Sequence, residues 1–171
     1  MTSPMAVFRE AVDRFAQQWC DSGVPSRQVL DDAAASLVRL KTELAIGGLW
    51  QQAPILLTAT MDDGLGQGLA VIENVARAIG LQVIALGLLK SPQEIVDACR
   101  EHHPDFLGLT ILHDDTEDDL RAVAANISPE TRIVAGGPAF LGDPTFAGRT
   151  GTHYAARHVA DFLRYMLNVS R

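Results

Sequence analysis

At 171 residues the chain has the length of one domain with a modest surplus. It is 47% hydrophobic and 20% charged, a globular composition that excludes a collagen-like, low-complexity or wholly disordered chain. Fourteen Lys and Arg against 21 Asp and Glu leave a net charge of −7, which argues against binding nucleic acid through charge.

The chain begins MTSPMAVFREAVDRF, with early acids and no long apolar core, unlike a secretory signal. Phe8, Val12, Phe15, Ala16 and Trp19 recur at helical spacing and form one apolar stripe. Gly23 and Pro25 break it. Ser26 caps a second helix with Val29, Leu30, Ala33, Leu37, Leu40 and Leu44 as its buried face, and Gly47-Gly48 ends it. Two short helices build little core alone, so residues 1–50 are expected to dock, to dimerise or to cap a ligand through Trp19 or Trp50.

After residue 50 the rhythm changes. Pro54–Thr60 is a short continuous apolar run, as a strand buried on both faces requires. The loop MDDGLGQG follows, then a helical stretch over 69–79. Gln82–Leu86 is a second strand, and Ser91, Pro92 and Glu94 form a capping box that opens a helix to His102. Phe106–Leu112 is a third strand, followed by a helix from Asp115 or Thr116 to Asn126. Thr131–Ala135 is a fourth strand, closed by Gly136-Gly137-Pro138. A loop then runs to Gly151, a weak strand lies near Thr152–Tyr154, and a last helix spans Ala155–Leu167 with Val159, Phe162, Leu163 and Met166 inward.

Alternating strands and helices predict right-handed crossovers and an α/β, flavodoxin-like (Rossmann-like) five-stranded parallel sheet of order 2-1-3-4-5, over residues 51–171. Ligands of such sheets bind at the carboxyl ends of the strands. The loops expected there are Met61–Gly68, Leu112–Asp115, Gly136–Leu141 and Gly151–Tyr154.

The glycines at 64, 66 and 68 do not spell GxGxxG, and the second strand ends without the acid a dinucleotide site requires. No GKS or GKT is present, so the loop is not a P-loop. A phosphorelay receiver would use an acidic pair such as Asp62-Asp63, but the third strand ends in Thr110-Ile111-Leu112, and the only lysines are Lys41 and Lys90. No Ser/His/Asp or Cys/His arrangement suggests a nucleophile, and the chain is read as a non-enzyme. Cys20 and Cys99 lack CxxC spacing, and no apolar run reaches the roughly 18 residues that span a bilayer, so a cytoplasmic protein without a membrane partner is expected. His102 and His103 end a helix, where a cation suits the dipole, and His158 is structural within the last helix. His113 and His153 are expected on two ligand-side loops, meeting over one pocket as metal ligands or hydrogen-bond donors.

Residues 50–171 resemble the cobalamin (vitamin B12)-binding domain family, the module of corrinoid carriers and cobalamin-dependent photoreceptors. Its members carry DxHxxG after strand 1, SxL or TxL at the end of strand 3, and GG after strand 4. Thr110-Ile111-Leu112 and Gly136-Gly137 match the second and third motifs. Counting back from Gly80 aligns Asp63, Gly64, Leu65, Gly66 and Gly68 with the first, so that Leu65 stands where the histidine should be.

The resemblance implies a crevice between strands 1 and 3 for the cofactor's nucleotide tail, with the corrin ring flat over the carboxyl edge. It implies cofactor contacts at Asp63, Gly64, Leu65, Gly66, Gly68, Thr110, Leu112, His113, Gly136, Gly137, Pro138, Thr152, His153 and Tyr154, with His113 or His153 as candidate metal ligands. In the family the histidine binds cobalt from below and the aspartate orients it. Leucine has no lone pair, so the degenerate motif leaves three outcomes: cobalamin bound without that histidine, another tetrapyrrole such as haem or a bilin (biliverdin), or a vestigial pocket. The expected function is a tetrapyrrole-binding sensor or regulator, open to light response, with a protein partner or a second copy on the N-terminal helices. The alternatives are a corrinoid carrier in methyl transfer and a haem or bilin sensor.

Overall fold

The computed structural model describes residues 3–62 and 66–170. These form two compact units. One gathers the chain up to Pro54, Ala70–Gln82 and the chain from His158; the other comprises Ile55–Leu69 and Val83–Arg157.

In the helical unit, α1 spans Pro4–Ser22 and starts where the Ser3 hydroxyl accepts from the Ala6 N–H at 3.2 Å. Phe8, Val12, Ala16 and Trp19 are buried, as their spacing predicts. α2 spans Arg27–Leu44, with Ser26 at the N-cap position but making no side-chain cap. Leu30, Ala33, Ala34 and Leu37 form its buried stripe, whereas Val29, one residue off that stripe, is exposed.

The helix ends at Ala45 (φ +52), before the glycine pair expected to stop it. The glycines do something else. A Cβ on Gly48 (φ +142) would lie 2.3 Å from the Ile79 carbonyl oxygen, and the Leu49 N–H donates to that oxygen at 2.9 Å. Only glycine permits so close an approach to the end of α3, Gln67–Ile79.

Cationic side chains cover helix C-termini in this unit. Lys41 Nζ donates to the Arg77 carbonyl of α3 at 2.9 Å. Arg9 of α1 donates to the Leu167 and Ser170 carbonyls at the end of α8, Val159–Val169. Asn74 of α3 donates to Asp31 of α2 at 2.9 Å. The N-terminal helices α1 and α2 are thus bonded to α8 and α3, respectively, rather than standing free.

The other unit carries the sheet: β1 Ile55–Thr60, β2 Gln82–Gly87, β3 Phe106–Thr110, β4 Arg132–Gly136 and β5 Tyr154–Ala156. It is parallel and five-stranded, in the order β2-β1-β3-β4-β5, the flavodoxin-like arrangement expected from the sequence. Leu57, Ala59, Leu107, Leu109, Ile133 and Ala135 face one side. They are buried with α4 (Pro92–His102), α5 (Glu117–Asn126), α6 (Pro138–Gly142) and α7 (Phe146–Thr150). Leu56, Thr58, Thr60 and Phe106, of opposite parity, are buried too, which explains the continuous apolar runs.

The capping box that opens α4 forms as the sequence predicts. Ser91 Oγ accepts from the Glu94 N–H at 3.2 Å, and Glu94 accepts from the Ser91 N–H at 2.9 Å. That backbone bond holds the Glu94 carboxyl below its ordinary value.

Two expectations fail after β4. The stretch to Gly151 was expected to be a loop, yet it contains α6 and α7, organised by the buried Phe146 and its edge-on contact with Phe140, centroids 5.2 Å apart. The last strand lies two residues later than expected, at Tyr154–Ala156, and the last helix starts at Val159. His158 is therefore the N-cap of α8, accepting from the Asp161 N–H at 3.3 Å, rather than a residue within the helix.

Candidate functional site

A parallel sheet aligns every strand's carboxyl end on one edge. Here the register sets Thr60, Thr110, Gly136 and Ala156 in a single row across β1, β3, β4 and β5. Two residues back along the strands, on the same face, lies the row Thr58, Gly108, Val134 and Tyr154. Over β1 and β3 these rows consist of small and hydroxyl-bearing side chains, of which Thr58 and Thr60 are buried.

The loops leaving this edge are tied together by a chain of hydrogen bonds. The Lys90 N–H, after β2, donates to the Thr60 carbonyl at 2.8 Å. Thr60 Oγ1 donates to the Asp62 carbonyl at 2.9 Å. The Leu112 N–H, after β3, donates to Asp62 Oδ2 at 2.8 Å. The Ile111 N–H donates to the Gly136 carbonyl at 2.8 Å, and the Ala139 N–H reaches the Ile111 carbonyl at 3.4 Å. Gly137 (φ +118) lies so close that a Cβ would stand 2.2 Å from the Ile111 oxygen. Gly137 is therefore required by backbone contact with the β3 loop, and Gly136 by the Ala156 carbonyl of β5, 2.9 Å from where its Cβ would stand, independently of any ligand.

The start of α5 and the α6–α7 segment are also joined by an ionic clamp. Arg149 binds Glu117 through two hydrogen bonds of 3.0 Å, meets Asp143 at 2.8 Å, donates to Thr145 Oγ1 and lies over the Phe146 ring. Hydrogen bonds from Thr145, with Arg149 beside it, hold the Asp143 carboxyl down at about 2, and Arg149 likewise lowers Glu117.

Thr110, Leu112, His113, Gly136, Gly137 and Pro138 all lie at or just beyond the carboxyl edge. His113 is exposed and precedes the 3₁₀ turn Asp114–Thr116, its carbonyl accepting from Thr116 Oγ1. Gly66 (φ +67) faces the Leu88 side chain, and Gly68, in the first turn of α3, faces open space. Asp63, Gly64 and Leu65 lie outside the described residues.

Thr152, His153 and Tyr154 are placed differently from expectation. Because β5 begins at Tyr154, they lie at the amino edge. The His153 N–H donates to the Ile133 carbonyl at 3.0 Å, and its Nδ1 accepts from the Ile133 N–H at 2.9 Å. His113 and His153 therefore stand at opposite edges of the sheet and do not meet over one pocket. Thr152 bonds to Thr150 Oγ1 and to the Ala147 carbonyl.

Among the described residues no cluster of three or more His, Cys, Asp and Glu side chains is placed to hold a metal. Burial pushes the Cys99 thiol up to about 11, away from nucleophilic chemistry. No helix among the described residues is long and apolar enough to cross a membrane. Two residues at the edge escaped the sequence reading of the site: Asp62, visible only as half of an acidic pair, and Thr60, visible only as the end of a strand.

The whole chain resembles solved structures with low identity, which speaks for the fold. A cobalamin-binding protein from Desulfitobacterium hafniense DCB-2 superposes with a TM-score of 0.78 at 20% identity, over 96% of this chain and 80% of that one. The methanol:cobalamin methyltransferase complex MtaBC from Methanosarcina barkeri gives 0.64 at 16% identity, over 98% of this chain and 68% of that one. The monomethylamine corrinoid protein of Methanosarcina barkeri gives 0.60 at 14%, over 92% and 78%. No curated protein matches the sequence. Residues 55–161, the larger part of the chain and the part that carries the hydroxyl row and its knotted loops, match the B12 binding domain, and the chain belongs to that family.

Proposed function

We propose that this protein is a cobalamin-binding regulator that holds the corrinoid without a histidine from the β1 loop beneath the cobalt. The observation that carries the reading is the family match over residues that keep Thr110-Ile111-Leu112 and Gly136-Gly137 but have Leu65 at the histidine position. The donor set fits the group in part. Thr60 and Thr110 supply hydroxyls at the crevice between β1 and β3, where the tail enters in the family. Leu88 and Leu89 follow the carboxyl end of β2 and Leu141 follows that of β4; all three are exposed and give a flat apolar ring something to lie on. His113, exposed three residues beyond the end of β3, would contact the ring, whereas the His158 imidazole beyond β5 is engaged as the N-cap of α8.

When bound, an alkylcobalamin would supply a cobalt–carbon bond that light can break. The protein's part is to bind and orient it, and the chain works by binding rather than by turnover. The signal passes to a protein partner or a second copy in the cytoplasm, with the exposed flank of the N-terminal helices as the contact. A second reading, a corrinoid carrier in methyl transfer, is favoured by the extent of the likeness to the Methanosarcina barkeri corrinoid protein, 92% of this chain with the N-terminal helices included.

One experiment separates the readings. The purified protein is incubated with hydroxo-, methyl- and adenosylcobalamin, haemin and biliverdin, desalted, and its spectrum recorded before and after illumination. Retained cobalamin with a light-induced change supports the regulator. Retained methylcobalamin whose methyl group passes to an added thiol acceptor only when a partner methyltransferase is present, leaving the electron pair on the cobalt, supports the carrier. A Soret band from retained haemin, or no retained chromophore, overturns the cobalamin reading.

A further inference from the structure

Asp62 is buried, with 7% of its surface exposed. A carboxylate in such a place is costly unless hydrogen bonds satisfy it. Its Oδ2 accepts from the Leu112 N–H at 2.8 Å, across 50 residues of sequence.

The reason lies in where the strands stop. The β1–β3 ladder ends at the pair Thr60 and Thr110. Beyond it the Ile111 N–H turns toward β4 and bonds the Gly136 carbonyl. The Leu112 N–H then has no strand backbone to meet on the β1 side. The Asp62 side chain takes the place of the missing strand residue and extends the ladder by one step. Charge strengthens this bond relative to the backbone bond it replaces.

The same residue also fixes Thr60, whose hydroxyl donates to the Asp62 carbonyl at 2.9 Å. Thr60 in turn accepts the Lys90 N–H at 2.8 Å. Asp62 therefore ties the loops after β1 and β3 to each other, and Thr60 beside it ties the loop after β2. Those loops flank both hydroxyls of the candidate site and carry His113.

We propose that Asp62 is a positioning residue of the ligand site, holding Thr110–His113 and the Thr60 hydroxyl in the arrangement that receives the cofactor. This rests on the cobalamin reading above. It assigns a role to the acid that precedes the family motif, while Asp63 is the acid that aligns with the motif itself.

The test compares Asp62→Ala with Asp62→Asn, which keeps an acceptor oxygen at nearly the same place. Hydroxocobalamin affinity is read by absorbance titration, and exchange of the Leu112 amide by NMR on the ligand-free protein. Asp62→Ala is expected to weaken binding by about tenfold or more, and Asp62→Asn to stay within about threefold of the parent. Leu112 exchange should accelerate in Asp62→Ala and remain slow in Asp62→Asn. A purely structural residue would lower Tm and leave the affinity unchanged.

If Asp62→Ala does not fold, Asp62→Ser, whose hydroxyl is too short to reach the amide, gives the same comparison. Affinity in Asp62→Ala or Asp62→Ser equal to the parent overturns the proposal, and so does a loss in Asp62→Asn as large as theirs. If the parent itself retains no cobalamin, the functional reading fails, and the Leu112 exchange rates alone decide whether Asp62 holds the loop.

Discussion

The two edges of the sheet hold the same strands by different means. At the amino edge the exposed Asp105 closes a ring: its carboxylate accepts from the Ile55 N–H at 2.8 Å, its N–H donates to the Ile55 carbonyl at 3.0 Å, and its carbonyl accepts from the Arg132 N–H at 2.9 Å. Thr131 Oγ1 donates to the Pro104 carbonyl at 2.7 Å, and His153 Nδ1 takes the Ile133 N–H. Polar side chains there serve the sheet itself. At the carboxyl edge the ties are mostly backbone to backbone, joined by one buried carboxylate, and the row they support is Thr60, Thr110, Gly136 and Ala156. An edge closed in this way leaves the side chains in its last row small. The same residue type, an aspartate next to a strand end, is a staple at one edge and a positioner of loops at the other.

The largest expected effect breaks the carboxyl edge. Gly137→Ala places a Cβ against the Ile111 carbonyl at a positive φ, and should destabilise the fold by about 3 kcal/mol, read as a lower denaturant midpoint at unchanged slope. A loss below about 0.5 kcal/mol would show that the two loops separate without cost.

A smaller effect sharpens the contrast between the histidines. His153→Ala removes one hydrogen bond at the amino edge and should cost about 1 kcal/mol, with no change in the absorption spectrum of the cobalamin-loaded protein. His113→Ala, at the other edge, should change that spectrum and leave Tm nearly untouched. A spectral change in His153→Ala would place the ligand elsewhere.

The smallest effect concerns the Arg149 clamp. Asp143 titrates at about 2 in the folded protein against an ordinary value of 3.8, and Glu117 is lowered as well. Lowered carboxyls contribute stability that is present above the ordinary values and is lost as pH falls through the folded ones. Acid titration of Tm should therefore show a steeper decline between about pH 4 and pH 2 in the parent than in Arg149→Gln, and high salt should narrow the difference. Superimposable acid limbs would mean that the clamp carries no linkage.

Much of the architecture was legible in the sequence because it depends on local pattern. The stripe of Phe8, Val12, Ala16 and Trp19, the capping box at Ser91 and Glu94, and the apolar runs of β1 and β3 each announce an element from neighbouring residues alone. The resemblance was legible because Thr110-Ile111-Leu112 and Gly136-Gly137 are short motifs in a fixed order. β5 was legible only as a weak strand, not in its bounds. Three residues of intermediate burial carry no strong period, and placing the strand two residues early put Thr152, His153 and Tyr154 at the opposite edge of the sheet. Nor were α6 and α7, whose short helices depend on Phe140 and Phe146 meeting across a turn.

The sequence by itself determined the class of fold, the strand order and the family, because periodicity and motif spacing survive without any knowledge of contacts. It also determined the absence of an imidazole at position 65, since side-chain chemistry is read directly from residue identity. Only the tertiary structure decided that Asp62 is buried, that His113 and His153 lie at opposite edges of the sheet, and why the glycines at 48 and 137 are needed. Each of those depends on a backbone atom far away in sequence: the Leu112 N–H, the Ile133 N–H, and the Ile79 and Ile111 carbonyls. Backbone groups look the same at every position, so no local pattern marks the ones that will meet a particular side chain.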